Sequence, residues 1–233
     1  MLKNRLAGRF IIAALLLSFV FTSCSGEPQL YNAVELRCEV ESAWFNEFRY
    51  AYTQIPENIR NCMRENNVMI RIVDRDDEEF KSIAPASPSY SMSGYYMPPT
   101  ITVFGDETEP AYIVIAAACQ NIRHVLLHEV GHMISDTHTE EHVYKSLLFT
   151  QKFQNLYEKY ENFVSFYPAL LDETVYNESE FFAELFYLYA EDSNFMQNPP
   201  KGLSDFMQKY ANEVSDLMQY AISAYLLNSS TSA

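Results

Sequence analysis

The stretch His128-Glu129-Val130-Gly131-His132 carries the clearest chemistry in the chain. Histidines at i and i+4 stand one turn apart on one face of a helix. That spacing lets both imidazoles reach a single tetrahedral Zn2+. Glu129 follows the first histidine, where its carboxylate can face a water in the open coordination position and take its proton. His124 lies on the same stripe. Three histidines over two turns span about 12 Å, too far for one ion to touch both ends. His124 is therefore expected in solvent or at the edge of the core, not as a ligand.

A catalytic zinc takes three protein ligands and keeps one position open, and two residues compete for the third place. His138 stands at the distance used in the metzincin pattern HExxHxxGxxH, although the glycine of that pattern is Ser135 here. A sharp turn at a non-glycine residue is unfavourable, but the polar run Ser135-Asp136-Thr137-His138-Thr139 has turn chemistry. The other candidate is in Asn177-Glu178-Ser179-Glu180-Phe181-Phe182-Ala183-Glu184, which reads as the opening of a helix with acids in its first turn. Glu180 and Glu184 share a face, so one carboxylate could reach zinc while the other orients a ligand. Spacing alone leaves both candidates open, since acids on such a helix can also simply face solvent.

These residues need elements to hold them. Helical patterning is expected over 30–49 and 56–66, followed by a β-branched strand at 68–73. Residues 82–99 have a loop composition. A short strand at 100–104 closes on Gly105-Asp106, and Tyr112 to Ala118 reads as a further strand or the entry to a helix. The metal-site helix covers 122–134, and helices follow at about 140–160, 178–192 and 204–227. Aromatic residues Phe181, Phe182, Phe186, Tyr187 and Tyr189 recur at helical spacing and read as core. Helices, a small sheet and then helices give one α+β domain over 30–227, with a polar, disordered tail at 228–233.

The chain has 233 residues, 48% hydrophobic, enough for one well-filled core. Lys3, Arg5 and Arg9 precede an apolar run from Phe10 to Val20, too short to span a bilayer stably. Together they read as a signal peptide over 1–23. Phe21-Thr22-Ser23-Cys24 resembles a bacterial lipobox, which implies a lipidated Cys24 followed by a short tether through residue 29. Loss of 1–23 leaves 13 basic and 31 acidic side chains, a net charge of −18. Such a charge argues against nucleic acid or anionic lipid as the main partner. Export permits disulfides. Cys38 and Cys62 sit on neighbouring helix-like segments and could form one bridge, whereas Cys119 reads as a buried thiol. The expected location is the cell envelope, anchored by lipid to the inner or outer membrane or the cell surface.

Taken together, the segments resemble the catalytic domain of anthrax lethal factor and the related clostridial Pro-Pro endopeptidases. Gly94-Tyr95-Tyr96-Met97-Pro98, running into 100–104, is similar to that family's substrate-lining edge strand. His128-Glu129-Val130-Gly131-His132, with Asp136 following, is similar to its zinc helix. Phe153 through Ser165 to Tyr167 is similar to the helix leading to its catalytic tyrosine. Glu180-Phe181-Phe182-Ala183-Glu184 is similar to the segment carrying its third ligand. The resemblance covers residues 90–190, less than half the chain.

It implies a zincin-like metallopeptidase domain with one Zn2+ per chain, held by His128, His132 and Glu180. Glu129 would be the general base on a zinc-bound water, with Glu184 and Asp136 orienting the ligands. Tyr95, Tyr96, Thr100, Ile101, Thr102 and Val103 would line an extended peptide. A tyrosine hydroxyl would stabilise the oxyanion. Here the chain departs from the family, because the usual position is Glu173, which cannot donate at neutral pH. Tyr167 is preferred and requires a longer connection to Glu180; Tyr176 is the alternative and requires a shorter one. The expectation is a monomeric zinc endopeptidase acting on extracytoplasmic proteins. Two other readings remain: a metzincin-like peptidase using His138, and a non-catalytic envelope lipoprotein that binds partners through a zincin scaffold. The intact Glu129 favours an enzyme, since a structural zinc has no need of it.

Overall fold

The computed structural model describes residues 34–83, 93–101, 107–136, 146–166, 177–191 and 201–230. Tyr167, Tyr176, His138, Thr102, Val103 and Cys24 lie outside them. Among the described residues the protein is an α+β fold with a helical majority and a small four-stranded sheet.

The chain enters as strand β1 (Val34–Leu36), then makes helices α1 (Ser42–Gln54) and α2 (Glu57–Glu65) before strand β2 (Met69–Val73). A helix was expected to run through 34–36, but these residues pair in parallel with Ile70 to Ile72. The period-two pattern of Val34, Leu36, Cys38 and Val40 carries that strand signal, and Glu35 fixes its register by accepting from Arg71 Nε at 2.8 Å. After β2 come α3 (Glu78–Ile83), β3 (Gly94–Met97), the short strands β4 (Thr100–Ile101) and β5 (Glu107–Glu109), and β6 (Tyr112–Ala116). The sheet order is β1-β2-β6-β3, parallel except for β3, which runs antiparallel to β6. Thr100 and Ile101 belong to a separate two-stranded ribbon with β5.

The sheet is apolar on both faces. Ile70, Ile72, Ile113 and Ile115 point into the main core with the helices. Val73, Val114, Ala116 and Tyr95 form a smaller cluster on the other face under Phe80 of α3. A tight link then leads from β6 into α4 (Ile122–Ser135), with left-handed backbone at Ala118 (φ 57°) and Asn121 (φ 57°). Asn121 caps the helix, its side-chain oxygen accepting from His124 N–H. Trp44 of α1 secures the same link by donating from Nε1 to Cys119 O at 3.1 Å.

Helix α4 is central, packed between the sheet, α1 and α6 (Glu178–Ala190). Phe181, Phe182, Phe186 and Tyr187 of α6 are buried, but Tyr189, expected in the core with them, faces outward and is exposed. Helix α5 (Gln151–Phe166) follows a 3-10 turn at Leu147–Phe149. The helix expected from about 140 thus begins at Gln151 within the described residues. Ser146 caps the 3-10 turn through Leu148 N–H, and its hydroxyl donates to Ser135 O at the end of α4. The single helix expected at 204–227 is two, α7 (Lys201–Lys209) and α8 (Ala211–Ser230), separated by a turn at Tyr210. The turn lets Leu203 and Phe206 of α7 and Val214, Leu217 and Met218 of α8 all enter the core. No glycine or proline marks it. Residues 228–230, expected in a disordered tail, continue α8.

The expected Cys38–Cys62 bridge is not formed: Cys38, Cys62 and Cys119 are free thiols. Cys38 lies on the stretch after β1, with its thiol toward Ile72 O, while the Cys62 sulfur accepts from Asn66 Nδ2 within its own helix end. No helix among the described residues is long and apolar enough to cross a membrane.

Candidate metal centre

Two helices build the site, and a glycine lets them meet. On α4, His128 and His132 lie one turn apart, as their spacing predicts. On α6, Asn177 caps the N-terminus by accepting from Glu180 N–H at 3.0 Å, which fixes the first turn and its carboxylates. A Cβ on Gly131 would lie 2.8 Å from Ala183 Cα and 3.1 Å from Ala183 O. Only glycine allows that approach, and the approach brings the α6 carboxylates to the α4 histidines.

His128 Nε2 and His132 Nε2 are 3.0 Å apart. Glu180 places Oε2 3.1 Å from His128 Nε2 and Oε1 3.6 Å from His132 Nε2. Tetrahedral ligands at about 2.0–2.1 Å from an ion are separated by roughly 3.3 Å. The two imidazoles and the Glu180 carboxylate, with one ligand atom from each within 4.8 Å of the others, lie close enough to share one ion. The donor set, two imidazoles and a carboxylate, suits zinc.

The electrostatics also call for a cation here. Burial would depress the His128 pKa, yet hydrogen bonding to Glu180 and Glu184 outweighs it and raises the imidazole to about 10. His132, buried beside that charge, is pushed down to about 4. Without an ion, the site puts a proton on one imidazole to balance its carboxylates. A divalent ion would satisfy the same field with both imidazoles neutral. The residues present therefore fit zinc.

The outer contacts orient these donors. Glu184 places Oε1 3.1 Å from His128 Nδ1, within ion-pair range though not aligned for a straight hydrogen bond, and accepts from His124 Nε2 at 2.8 Å. Burial would raise the Glu184 pKa, but the hydrogen bond from His124 and the close His128 imidazole win and hold it at about 2. Ser179 Oγ lies 3.0 Å from His132 Nδ1 and so performs for the second histidine what Glu184 does for the first. Sequence reasoning missed Ser179, because a serine in the first turn of a helix reads as a cap. Asp136, expected to orient a ligand, is the C-cap of α4, its N–H bonded to His132 O at 3.1 Å.

Glu129 is buried on the sheet side of α4, beside β3. A Cβ on Gly94 would meet Glu129 Cγ at 3.2 Å, so the strand crosses the carboxylate closely. Burial pushes the Glu129 pKa up to about 7; the His128 charge opposes this, Glu180 adds to it, and the Tyr96 backbone N–H lowers it by donating to the carboxylate. A base poised near neutrality is well placed to accept and return a proton.

Of the expected substrate-lining residues, Tyr96 lies on the α4 side of the sheet and Tyr95 does not. Tyr95 is buried on the opposite face, its ring 5.8 Å from that of Phe80. Strand alternation places them on opposite faces, which the pair read as a loop could not show. Thr100 and Ile101 stand in their own ribbon, and the strand flanking α4 is β3. Ser135, the metzincin glycine position, is the last residue of α4 and donates from its hydroxyl to His132 O at 2.8 Å. Among the described residues the left-handed non-glycine residues are Asn67, Ala118 and Asn121, so a metzincin turn is not made at Ser135.

No known protein family's sequence profile matches this chain, and no curated protein matches it. Its fold does have a solved counterpart. The structure of a Pro-Pro endopeptidase from Paenibacillus alvei superposes with a TM-score of 0.53 at 14% identity, covering 81% of this chain and 97% of that one. At that identity the likeness is one of fold, and it matches the fold that the resemblance of the segments implies.

Proposed function

We propose that the protein is a zinc-dependent endopeptidase that hydrolyses peptide bonds of extracytoplasmic proteins. The observation that carries this reading is the convergence of His128, His132 and Glu180 beside the buried carboxylate of Glu129. The fold shared with a solved Pro-Pro endopeptidase supports it. Zinc, when bound, supplies Lewis acidity toward a water and the scissile carbonyl.

The chain's own residues do the rest. His128 and His132 present Nε2 to the ion, held from behind by Glu184 and Ser179. Glu129 takes a proton at its carboxylate and returns it to the leaving amine. A tyrosine hydroxyl, Tyr167 in preference to Tyr176, donates to the developing oxyanion.

Strand β3 offers the substrate its docking edge. Ala116 N–H donates to Ser93 O at 2.9 Å, making Ser93 and Ala116 a hydrogen-bonded pair. Alternation along an antiparallel ladder then turns the main-chain groups of Tyr95 toward β6 and those of Gly94 and Tyr96 outward. An extended peptide can add at Gly94 on that outward edge, beside the Tyr96 N–H that donates to Glu129. The chain is further proposed to act as a monomer, lipidated at Cys24 and anchored in the cell envelope.

Elemental analysis of the purified protein tests the metal centre. About one zinc per chain, lost in Glu180→Ala and kept in His138→Ala, is the expected result. Loss in His138→Ala alone moves the third ligand to His138. No zinc in any form after metal is added back leaves a non-catalytic binding protein on the same scaffold.

A further inference from the structure

Building on the metal-centre reading above, we infer that His124 is a positioning residue for that centre, acting through Glu184 on His128. The α4 histidines and the α6 carboxylates alternate like the teeth of a zip. His124 Nε2 lies 2.8 Å from Glu184 Oε1, Glu184 Oε1 lies 3.1 Å from His128 Nδ1, His128 Nε2 lies 3.1 Å from Glu180, and Glu180 lies 3.6 Å from His132 Nε2. His124 closes the end of this row away from the ion. It is too far along the helix to share an ion with His132, and among the described residues its side-chain hydrogen bond goes to the carboxylate that faces His128.

Glu184 needs such a partner. Its side chain is 1% exposed, and its Oε2 has no hydrogen-bond partner among the described residues. The contacts made by Oε1 therefore decide where this buried carboxylate sits, and an uncompensated buried charge is costly. His124 is itself held in place. Tyr187, one turn beyond Glu184 on α6, packs its ring 4.5 Å from the His124 ring, and the His128 ring meets it edge-on at 5.6 Å. Helix α6 thus supplies both the acceptor for His124 and a wall behind it. With His124 in place, Glu184 is drawn to one oxygen position, and the Nδ1 edge of His128 faces an acceptor while Nε2 faces the ion. Removing His124 leaves His128 to hold Glu184 alone and loosens the ring that presents Nε2.

Zinc affinity, by competition with a chromogenic chelator, and the melting midpoint of the metal-free protein separate this role from plain packing. His124→Leu is expected to bind zinc about 10-fold more weakly. His124→Gln, whose amide can still donate to Glu184, is expected to recover most of that loss. His124→Asn, too short to reach, is expected to behave as the leucine variant does, so the result does not hang on the folding of one protein. The double variant His124→Leu/Glu184→Gln should bind no more weakly than Glu184→Gln alone, because both changes cut the same link. Wild-type affinity in His124→Leu, with only a lower melting midpoint, would overturn the inference and leave His124 a packing residue. Additive losses in the double variant would overturn it too, as would a second zinc per chain lost with His124. A wild-type protein that takes up no zinc would instead overturn the metal-centre reading on which the inference rests.

Discussion

In the proposed reaction Glu129 is the base, because it is buried beside His128, His132 and Glu180 without joining their cluster. Glu129→Gln keeps the size of the side chain and removes the proton acceptor. It should retain about one zinc per chain and lose roughly 10²–10⁴-fold in peptide hydrolysis, measured with any peptide the wild type cleaves; full activity would dismiss Glu129 as the base. Protons and zinc also compete at His128. With its pKa raised to about 10 in the metal-free site, His128 carries a proton at neutral pH that the ion must displace. The sign follows: affinity rises with pH, by roughly tenfold per unit across about pH 6 to 8. Chelator competition at several pH values reads this slope, and a flat profile would mean that His128 is already neutral. Much of this scale was legible in the sequence. An i, i+4 pair of histidines has one helical meaning, whereas spacing left Glu180 and His138 both open and only the resemblance favoured Glu180. Ser179 and the link from His124 to Glu184 were not legible, since both depend on how two helices meet across distant parts of the chain.

Between elements, the decisive contact is α4 against α6, and Gly131 sets its distance. In Gly131→Ala the added methyl would lie 2.8 Å from backbone, Ala183 Cα, which cannot swing aside. The helices must part, at a cost of about 1–3 kcal/mol, and Glu180 moves away from the histidines. A denaturant melt of the metal-free protein and a zinc titration should therefore both shift; an unchanged melt would show that the packing is looser than described. The thiols test the elements on the other side of the core. Burial raises the Cys119 pKa to about 11, so little thiolate exists near neutrality. Alkylation of the folded protein should reach half-buried Cys38 first and spare Cys62 and Cys119, and unfolding should expose all three. A Cys38–Cys62 bridge in the purified protein would contradict the free pair. Strand β2 and helices α4 and α6 were legible from their periods, while the apolar run of β6 read equally as a strand or the entry to a helix. Strand β1 was hidden within an apparent helix, and the turn at Tyr210 carries no breaker. In both places tertiary pairing or packing outweighs local propensity.

As a whole, the molecule sets a sheet edge beside a metal-ready pair of helices, and this juxtaposition makes it look like a peptidase. The strand that borders α4 is β3, four residues that composition placed in a loop, because Gly94 and Pro98 bracket it. Its pairing with β6 arises only once the sheet has formed, so the docking edge was less legible than the ligands. The chain carries a net charge of −15, which favours basic segments over nucleic acid as partners. Lipidation at Cys24 would keep that charge at a membrane surface, and metabolic labelling with a fatty acid should mark the wild type and not Cys24→Ala; equal labelling of both would place any lipid elsewhere. The most direct test of the account is digestion of a peptide library by the zinc-loaded protein, with products read by mass spectrometry. Internal cleavages that vanish on chelation, return with zinc and are absent in Glu129→Gln are the expected result. A zinc-loaded wild type that leaves the library intact, or a Glu129→Gln variant that cuts it equally well, would contradict the account.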